Sequence, residues 1–276
     1  MLLAIDIGNT HIKFGLFAEK RLEHKIRLVT DQLRTEDEYG VLLEQALAQR
    51  GVKPEAVTAA IVASVVPQLT DGILVMVRRL FAREPLVLGP GLKTGMAVLY
   101  DSPREVGPDR IADAVAAYER VKGGVIVVDF GTATTFNCVS PKGEYLGGVI
   151  VPGVQVGLDA LLARAAKLSR IELSEPPHVL GRNTPHALQS GAIHGSAALV
   201  DGLVARLEAE LGFPCAVIAT GGLAGAIAKH AKSIGSVEAD LTLEGLRILY
   251  ELNAEAPKRA AEAARGATEK VPKGAA

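Results

Sequence analysis

The stretch Gly124-Val-Ile-Val-Val-Asp-Phe-Gly-Thr-Ala-Thr-Thr135 repeats the form of the N-terminal Leu2-Leu-Ala-Ile-Asp-Ile-Gly-Asn-Thr10. In both, an apolar run of strand length delivers an aspartate, Asp6 or Asp129, to the strand end. A hydrophobe, a glycine and hydroxyl residues follow, and the glycine lets the backbone turn tightly. Backbone N–H groups that converge with hydroxyls in such a turn form a donor nest for phosphate oxygens, and a nearby carboxylate can hold a cation. One copy alone reads more readily as a buried strand followed by a polar turn. The repetition favours a pair of phosphate-binding turns, able to clamp a nucleotide. Neither copy ends in the Gly-Lys-Ser/Thr of a P-loop.

Around these two copies the chain reads as duplicated. Leu2–Asp6 and Ile12–Phe17 form a hairpin through Gly8-Asn9-Thr10, and Leu22–Val29 supplies a third strand. Glu38–Arg50 has helical apolar spacing and stops at Gly51. Thr58–Val66 is a continuous apolar run suited to a strand buried on both faces, Leu69–Phe81 a helix and Pro85–Gly89 a short strand. A long turn-rich connection, Gly89 to Arg110, leads to a helix over Ile111–Tyr118; ordered connections of this length are more often functional than accidental. The second half starts over, with strands Gly124–Asp129, Thr134–Val139 and Tyr145–Val151. Helices Val156–Ala166 and Thr184–Leu211, strand Cys215–Gly222 and helix Leu223–Lys232 follow. The strands ending at Ser64 and Thr220 occupy matching places, so the fold class is α/β with duplicated βββαβα halves. The domains expected are 1–120, 121–253 and a flexible or frayed tail over 254–276, where large apolar residues almost vanish.

With 276 residues, 49% of them hydrophobic, the chain can bury a substantial core, and its net charge of −1 gives no electrostatic case for nucleic acid or an anionic membrane. A small-molecule partner is the better expectation. Cys138 and Cys215 lie in apolar surroundings without metal-ligand spacing and read as free thiols of a reducing compartment. Met1-Leu-Leu-Ala-Ile-Asp6 has no basic segment of a signal peptide, and no apolar run reaches membrane-spanning length, so the expected location is cytoplasmic.

Asp109 precedes a helix at the end of the long connection. It could take a proton from an attacking hydroxyl, or it could cap the helix, the commoner use of an aspartate there. Arg110 could hold a carboxylate or phosphate in a bidentate pair, or be an ordinary surface arginine. Lys13, beside the first turn, could meet a phosphate or sit on a solvated strand edge, and Asp113 is equally open.

Taken in order, Asp6-Ile-Gly-Asn-Thr10, Gly89-Pro-Gly-Leu-Lys-Thr-Gly95, Tyr100, Gly107-Pro-Asp-Arg110, Asp129-Phe-Gly-Thr-Ala-Thr-Thr135, Gly147-Gly-Val-Ile-Val-Pro-Gly153 and Gly181-Arg-Asn-Thr184 resemble type III pantothenate kinase. The resemblance implies the ribonuclease H-like, actin-like fold with a nucleotide cleft between its halves, and ATP-dependent phosphorylation of pantothenate in coenzyme A biosynthesis. It implies Asp109 as general base. Asp6, Ile7, Gly8, Asn9, Thr10, His11, Ile12 and Lys13 would form the first phosphate loop, with Asp6 helping to hold Mg²⁺ directly or through water. Thr132 would touch ATP, and Asp129 would bind a monovalent cation, K⁺ or NH₄⁺. Tyr100, Gly107, Pro108, Asp109, Arg110 and Thr184 would hold pantothenate, Thr184 reaching across a homodimer interface into a shared site.

Two positions depart from the family pattern. Pro108 stands where a small residue is frequent, and its ring removes an N–H. Asn137 stands where an acid is frequent, and is expected to lie remote from the transfer. Two other functions stay open at this point: a kinase of the same superfamily with another small acceptor, and an ATP-binding regulator that turns nothing over. The Gly107, Asp109 and Arg110 group favours catalysis over regulation.

Overall fold

The computed structural model describes residues 1–165 and 168–268, with side chains described to residue 254. By proximity the chain forms two compact units. One holds Met1–Gly95 and the residues from Leu246 onward, the other Met96–Gly245.

The first unit carries β1 (Leu2–Ile7), β2 (His11–Ala18) and β3 (Arg21–Val29), then α1 (Glu36–Ala48), β4 (Ala59–Ser64), α2 (Pro67–Phe81) and β5 (Leu86–Val87). Its sheet runs β3-β2-β1-β4-β5. The hairpin is antiparallel, and β4 lies parallel to β1 with Asp6 opposite Ala63 and Ile7 opposite Ser64. Thr35 begins α1 with a reciprocal capping box to Glu38, which satisfies two end donors at once. Pro67, expected only to end the preceding strand, is the first residue of α2, where a missing N–H costs nothing. The core joins Leu3, Ile5, Phe14 and Leu16 of the hairpin to Tyr39, Leu43 and Leu47 of α1 and to Ile73 and Val77 of α2. Tyr39, Leu43 and Leu47 recur every fourth residue, the stripe that aims one helix face at a sheet.

The second unit repeats the plan. It contains β6 (Ala97–Val98), α3 (Pro108–Val121), β7 (Val125–Phe130), β8 (Ala133–Val139), β9 (Glu144–Pro152), α4 (Val154–Arg164), α5 (Thr184–Leu211), β10 (Ala216–Gly221), α6 (Ala224–Ile227) and β11 (Ser236–Val237); α7 spans Leu241–Thr268. Its sheet runs β11-β10-β7-β8-β9-β6. Read from β9, the order β9-β8-β7-β10-β11 reproduces β3-β2-β1-β4-β5 strand for strand, and β6 is an addition beside β9. The expected duplication is therefore present as ribonuclease H-like halves. Ile126, Val128, Phe136 and Val217 of the sheet pack with Ile193, Ala197, Val200 and Val204, one stripe along α5.

Several expectations shift. The helix expected over Leu223–Lys232 shrinks to Ala224–Ile227. The short strands β6 and β11 carry too little pattern to be read from sequence. Of the residues placed in a flexible or frayed tail, 254–268 continue the backbone of α7, while 269–276 lie outside the described residues. Ala166, expected to end the helix after β9, also lies outside them.

Candidate active site

The first turn is held by its own backbone. Gly8 N–H donates to the His11 carbonyl at 3.1 Å, and the Thr30 hydroxyl donates to the Gly8 carbonyl at 2.6 Å. Register puts Lys13 directly opposite Asp6, and their side chains meet at 3.1 Å. Asp6 is buried and Lys13 half-buried, so Lys13 is not a solvated edge lysine. Ile7 and Ile12 are core residues that anchor the two strands, while Asn9 and Thr10 at the tip are exposed. His11 is held below the ordinary histidine range, chiefly by burial, then by the charges of Arg27 and Lys13.

In the second turn a glycine packs against the acid. Asp129 stands opposite Thr135 on β8 and beside Thr220 on β10. Gly221 follows Thr220 with φ of +93°, and a Cβ there would press on Asp129 Oδ1 and lie 2.6 Å from the Phe130 carbonyl oxygen. A Cβ on Gly131 would lie 3.5 Å from Asp129 Oδ2. Oδ1 thus sits in a cradle whose Gly221 wall only glycine permits, while Gly131 lies at ordinary contact distance from Oδ2. Thr132 is exposed at the turn, and its carbonyl accepts from Gly153 N–H at 3.1 Å, just before α4 begins. The residue types fit a cation: an aspartate with threonines opposite it in both neighbouring strands is a set of hard oxygen donors.

The third cluster lies at the start of α3. The helix cap is Gly107, whose residue type brings no side-chain bond, and Pro108 is the first helical residue. There the N–H that proline lacks has no partner within the helix. Asp109 is not the cap. As the second helical residue it accepts the Arg110 N–H at 2.9 Å on Oδ1 and places a half-buried carboxylate in the first turn. Arg110 is buried, with 9% of its surface exposed, and so is no ordinary surface arginine. Its Nε donates to Asn137 Oδ1 at 2.7 Å, and its guanidinium carbon lies 5.8 Å from the Tyr145 ring centroid. Asn137, expected to be remote, is therefore in direct contact with the residue after Asp109. Asp113, one turn further, is buried in the same helix.

Tyr100 joins this cluster edge-on to Tyr145, with ring centroids 6.4 Å apart. Gly148 makes room, and Gly147 supplies a backbone with φ of +129°. A Cβ on Gly147 would lie 3.5 Å from the Tyr100 ring, and one on Gly148 would lie 3.2 Å from Arg110 Nη2 and collide with the Phe136 carbonyl. A cavity of about 530 Å³ opens here, lined by Tyr100, Asp101, Ser102, Glu105, Gly147 and Gly148. Thr184 is exposed at the first position of α5, after Asn183, whose side chain accepts the His186 N–H at 2.8 Å. It is not among the residues that line this cavity.

Asn137, Tyr145 and Gly221 were not read as site residues from sequence. An asparagine within the apolar run Phe136-Asn137-Cys138-Val139 is the available signal, since a buried amide requires partners.

The profile of the type III pantothenate kinase family matches residues 2–206. A type III pantothenate kinase of Myxococcus xanthus is 55% identical over 253 residues, covering 92% of this chain and 99% of the relative. This chain belongs to the type III pantothenate kinase family. The enzyme of that name from Moorella thermoacetica is 49% identical, covering 92% of this chain and all of the relative. Among solved structures, a conserved putative Baf family transcriptional activator from Campylobacter jejuni superposes with a TM-score of 0.56 at 19% identity, over 92% of this chain and 99% of that one. A putative 2-dehydro-3-deoxygalactonokinase from Sinorhizobium meliloti gives 0.55 at 14% identity, over 93% and 96%. These two likenesses concern the fold alone.

Proposed function

We propose that this member of the family phosphorylates the primary hydroxyl of pantothenate with ATP, giving 4'-phosphopantothenate, the first step of coenzyme A biosynthesis. The observation that carries the reading is the family relationship over 92% of the chain. The cluster at the start of α3 supports it, because a carboxylate and a buried guanidinium stand side by side at one helix end.

In this reading Arg110 and Tyr100 hold the acceptor, with Gly107 and Pro108 shaping the backbone against it, and Asp109 faces its hydroxyl. The hydroxyl oxygen forms a bond to the γ-phosphorus as the bond to ADP breaks, and Asp109 accepts the hydroxyl proton and later passes it to solvent. Positioning and charge neutralisation dominate such transfers, so an aspartate suffices as the base. The loop Asp6–Lys13 holds phosphate oxygens, and Thr132 contacts ATP. Mg²⁺ with ATP, near Asp6, and K⁺ or NH₄⁺ at Asp129 supply positive charge to the phosphates when bound. The glycine cradle around Asp129 supports the second assignment.

Thr184 completes the site from a second copy of the chain, which makes a homodimer the working unit. Its exposure within a single chain supports this, as do Val156 and Leu161 exposed on α4. The reaction takes place in the cytoplasm, in keeping with the free thiols of Cys138 and Cys215. Among the described residues no helix is long and apolar enough to cross a membrane.

ADP release in the presence of pantothenate, ATP, Mg²⁺ and K⁺ tests the reading. Release should require pantothenate, and should collapse in Asp109→Asn and in K⁺-free buffer while ATP binding persists. Binding of ATP without pantothenate-dependent release would overturn the substrate assignment.

A further inference from the structure

Asn137 is fully buried, and its strand neighbours Phe136 and Cys138 point into the apolar core. Burying an amide there is unfavourable unless its hydrogen bonds are met, and an aliphatic residue would avoid that cost. What Asn137 holds accounts for its presence. Its Oδ1 accepts from Arg110 Nε at 2.7 Å and from the Tyr145 hydroxyl at 3.1 Å, and its Nδ2 donates to Thr135 Oγ1 at 3.4 Å. Tyr145 is itself fully buried, and burial pushes its hydroxyl up to about 12, so it stays a donor.

Nε is the inner N–H of a guanidinium. Engaging it fixes the plane of the fork and leaves the Nη groups as the donors directed outward. The Tyr145 ring lies against the same guanidinium, and the absence of a side chain at Gly148 gives Nη2 its place. The far side of Asn137 is tied to Thr135, which stands opposite Asp129 in the sheet. One buried amide therefore connects the hairpin of the second turn to the residue that follows Asp109.

We propose that Asn137 is a positioning residue, which holds Arg110 by its Nε so that the Nη groups face the carboxylate of the acceptor. This rests on the reading of Arg110 as the residue that holds that carboxylate. The acceptor oxygen matters here, and the Asn137 amide nitrogen does not.

Steady-state kinetics of the full chain with pantothenate and with pantothenyl alcohol, its uncharged analogue, test it. In Asn137→Ala the KM for pantothenate should rise by about tenfold or more, the range of a lost bond to a charged group. The KM values for ATP and pantothenyl alcohol should stay near those of the unaltered protein, and Asn137→Asp, which keeps the acceptor, should restore much of the pantothenate affinity. Equal losses for both acceptors, an unchanged KM for pantothenate, or no rescue by aspartate would overturn the proposal. If the unaltered protein treats the two acceptors alike, the Arg110 reading itself fails. Should Asn137→Ala not fold, ¹⁵N NMR of the unaltered protein decides, with the Arg110 Nε–H assigned by its loss in Arg110→Lys. That N–H should exchange slowly with solvent, and exchange as fast as in exposed arginines would overturn the proposal.

Discussion

Gly221→Ala, set against Gly222→Ala, separates a glycine that shapes the second turn from its neighbour. At Gly221 the backbone has φ of +93°, and a methyl group would lie 2.6 Å from the Phe130 carbonyl oxygen and 2.7 Å from its carbon while pressing on Asp129 Oδ1. At Gly222 a methyl group meets nothing within 4 Å. A left-handed conformation costs an L-residue about 1–2 kcal/mol. Forcing a methyl group into a packed backbone contact typically costs about 1–3 kcal/mol more. The sum of about 2–5 kcal/mol corresponds to a fall in Tm of roughly 3–9 °C for a chain of this size. Relief by moving the Asp129 carboxylate would reduce that fall at the expense of turnover. Thermal melting and K⁺-dependent ADP release of both variants provide the assay. Gly222→Ala should match the unaltered protein, while Gly221→Ala should melt lower, lose K⁺ activation, or both. A Gly221→Ala protein with unchanged Tm and unchanged K⁺ response would refute the cradle argument.

Three further outcomes are expected. Burial holds the Cys138 thiol up to about 12 and the Cys215 thiol up to about 11; alkylation in mildly alkaline buffer should be slow at both in the native state and fast after denaturation, and rapid native labelling of Cys138 would contradict its burial. His11 has a folded-state pKa below the ordinary value of 6.5, so the unfolded chain takes up the proton more readily and stability declines as pH falls through that value. Denaturant midpoints measured on either side of it should show a shallower decline in His11→Gln, and an identical slope would remove His11 from the account. If Thr184 completes the site from a second copy, a variant shown to be monomeric should bind pantothenate more weakly, and unchanged affinity in that monomer would exclude the shared site.

The strands that carry the aspartates were legible because their signal is local. An apolar run, an acid, a glycine and hydroxyls imply a strand and a tight turn, and the same order of elements after each copy implies a second sheet of the same plan. The partners of the site residues were less legible, because they come from other strands. Lys13 is seven residues from Asp6 and follows from hairpin register, whereas Asn137 meets Arg110 across 27 residues and only through the packing of α3 on the sheet. Pro67 and Pro108 show a second limit. Each reads locally as an interruption, yet each is the first residue of a helix, and the apolar faces of α2 and α3 show this only once they are packed.

The two turns share one topology and differ in what stands beside the acid. In the first, hairpin register places Lys13 opposite Asp6 and the parallel neighbour is Ala63, so a lysine ammonium lies within 3.1 Å of the carboxylate. In the second, the same two places are Thr135 and Thr220, and glycines close on the carboxylate. A buried carboxylate next to an ammonium has a fixed cation beside it, so a metal ion near Asp6 would share the carboxylate with Lys13. An aspartate with a threonine opposite it in each neighbouring strand brings oxygen-donor residue types together, as a hard cation requires. Duplication supplied two equivalent strand ends; if K⁺ binds at Asp129 as proposed, the residue facing each aspartate across the hairpin is what distinguishes the two. Exchanging that residue tests the division of labour. Thr135→Lys should bring an ammonium to Asp129 and weaken activation by K⁺, and a variant that still folds and keeps the full K⁺ response would show that the facing residue does not decide the role.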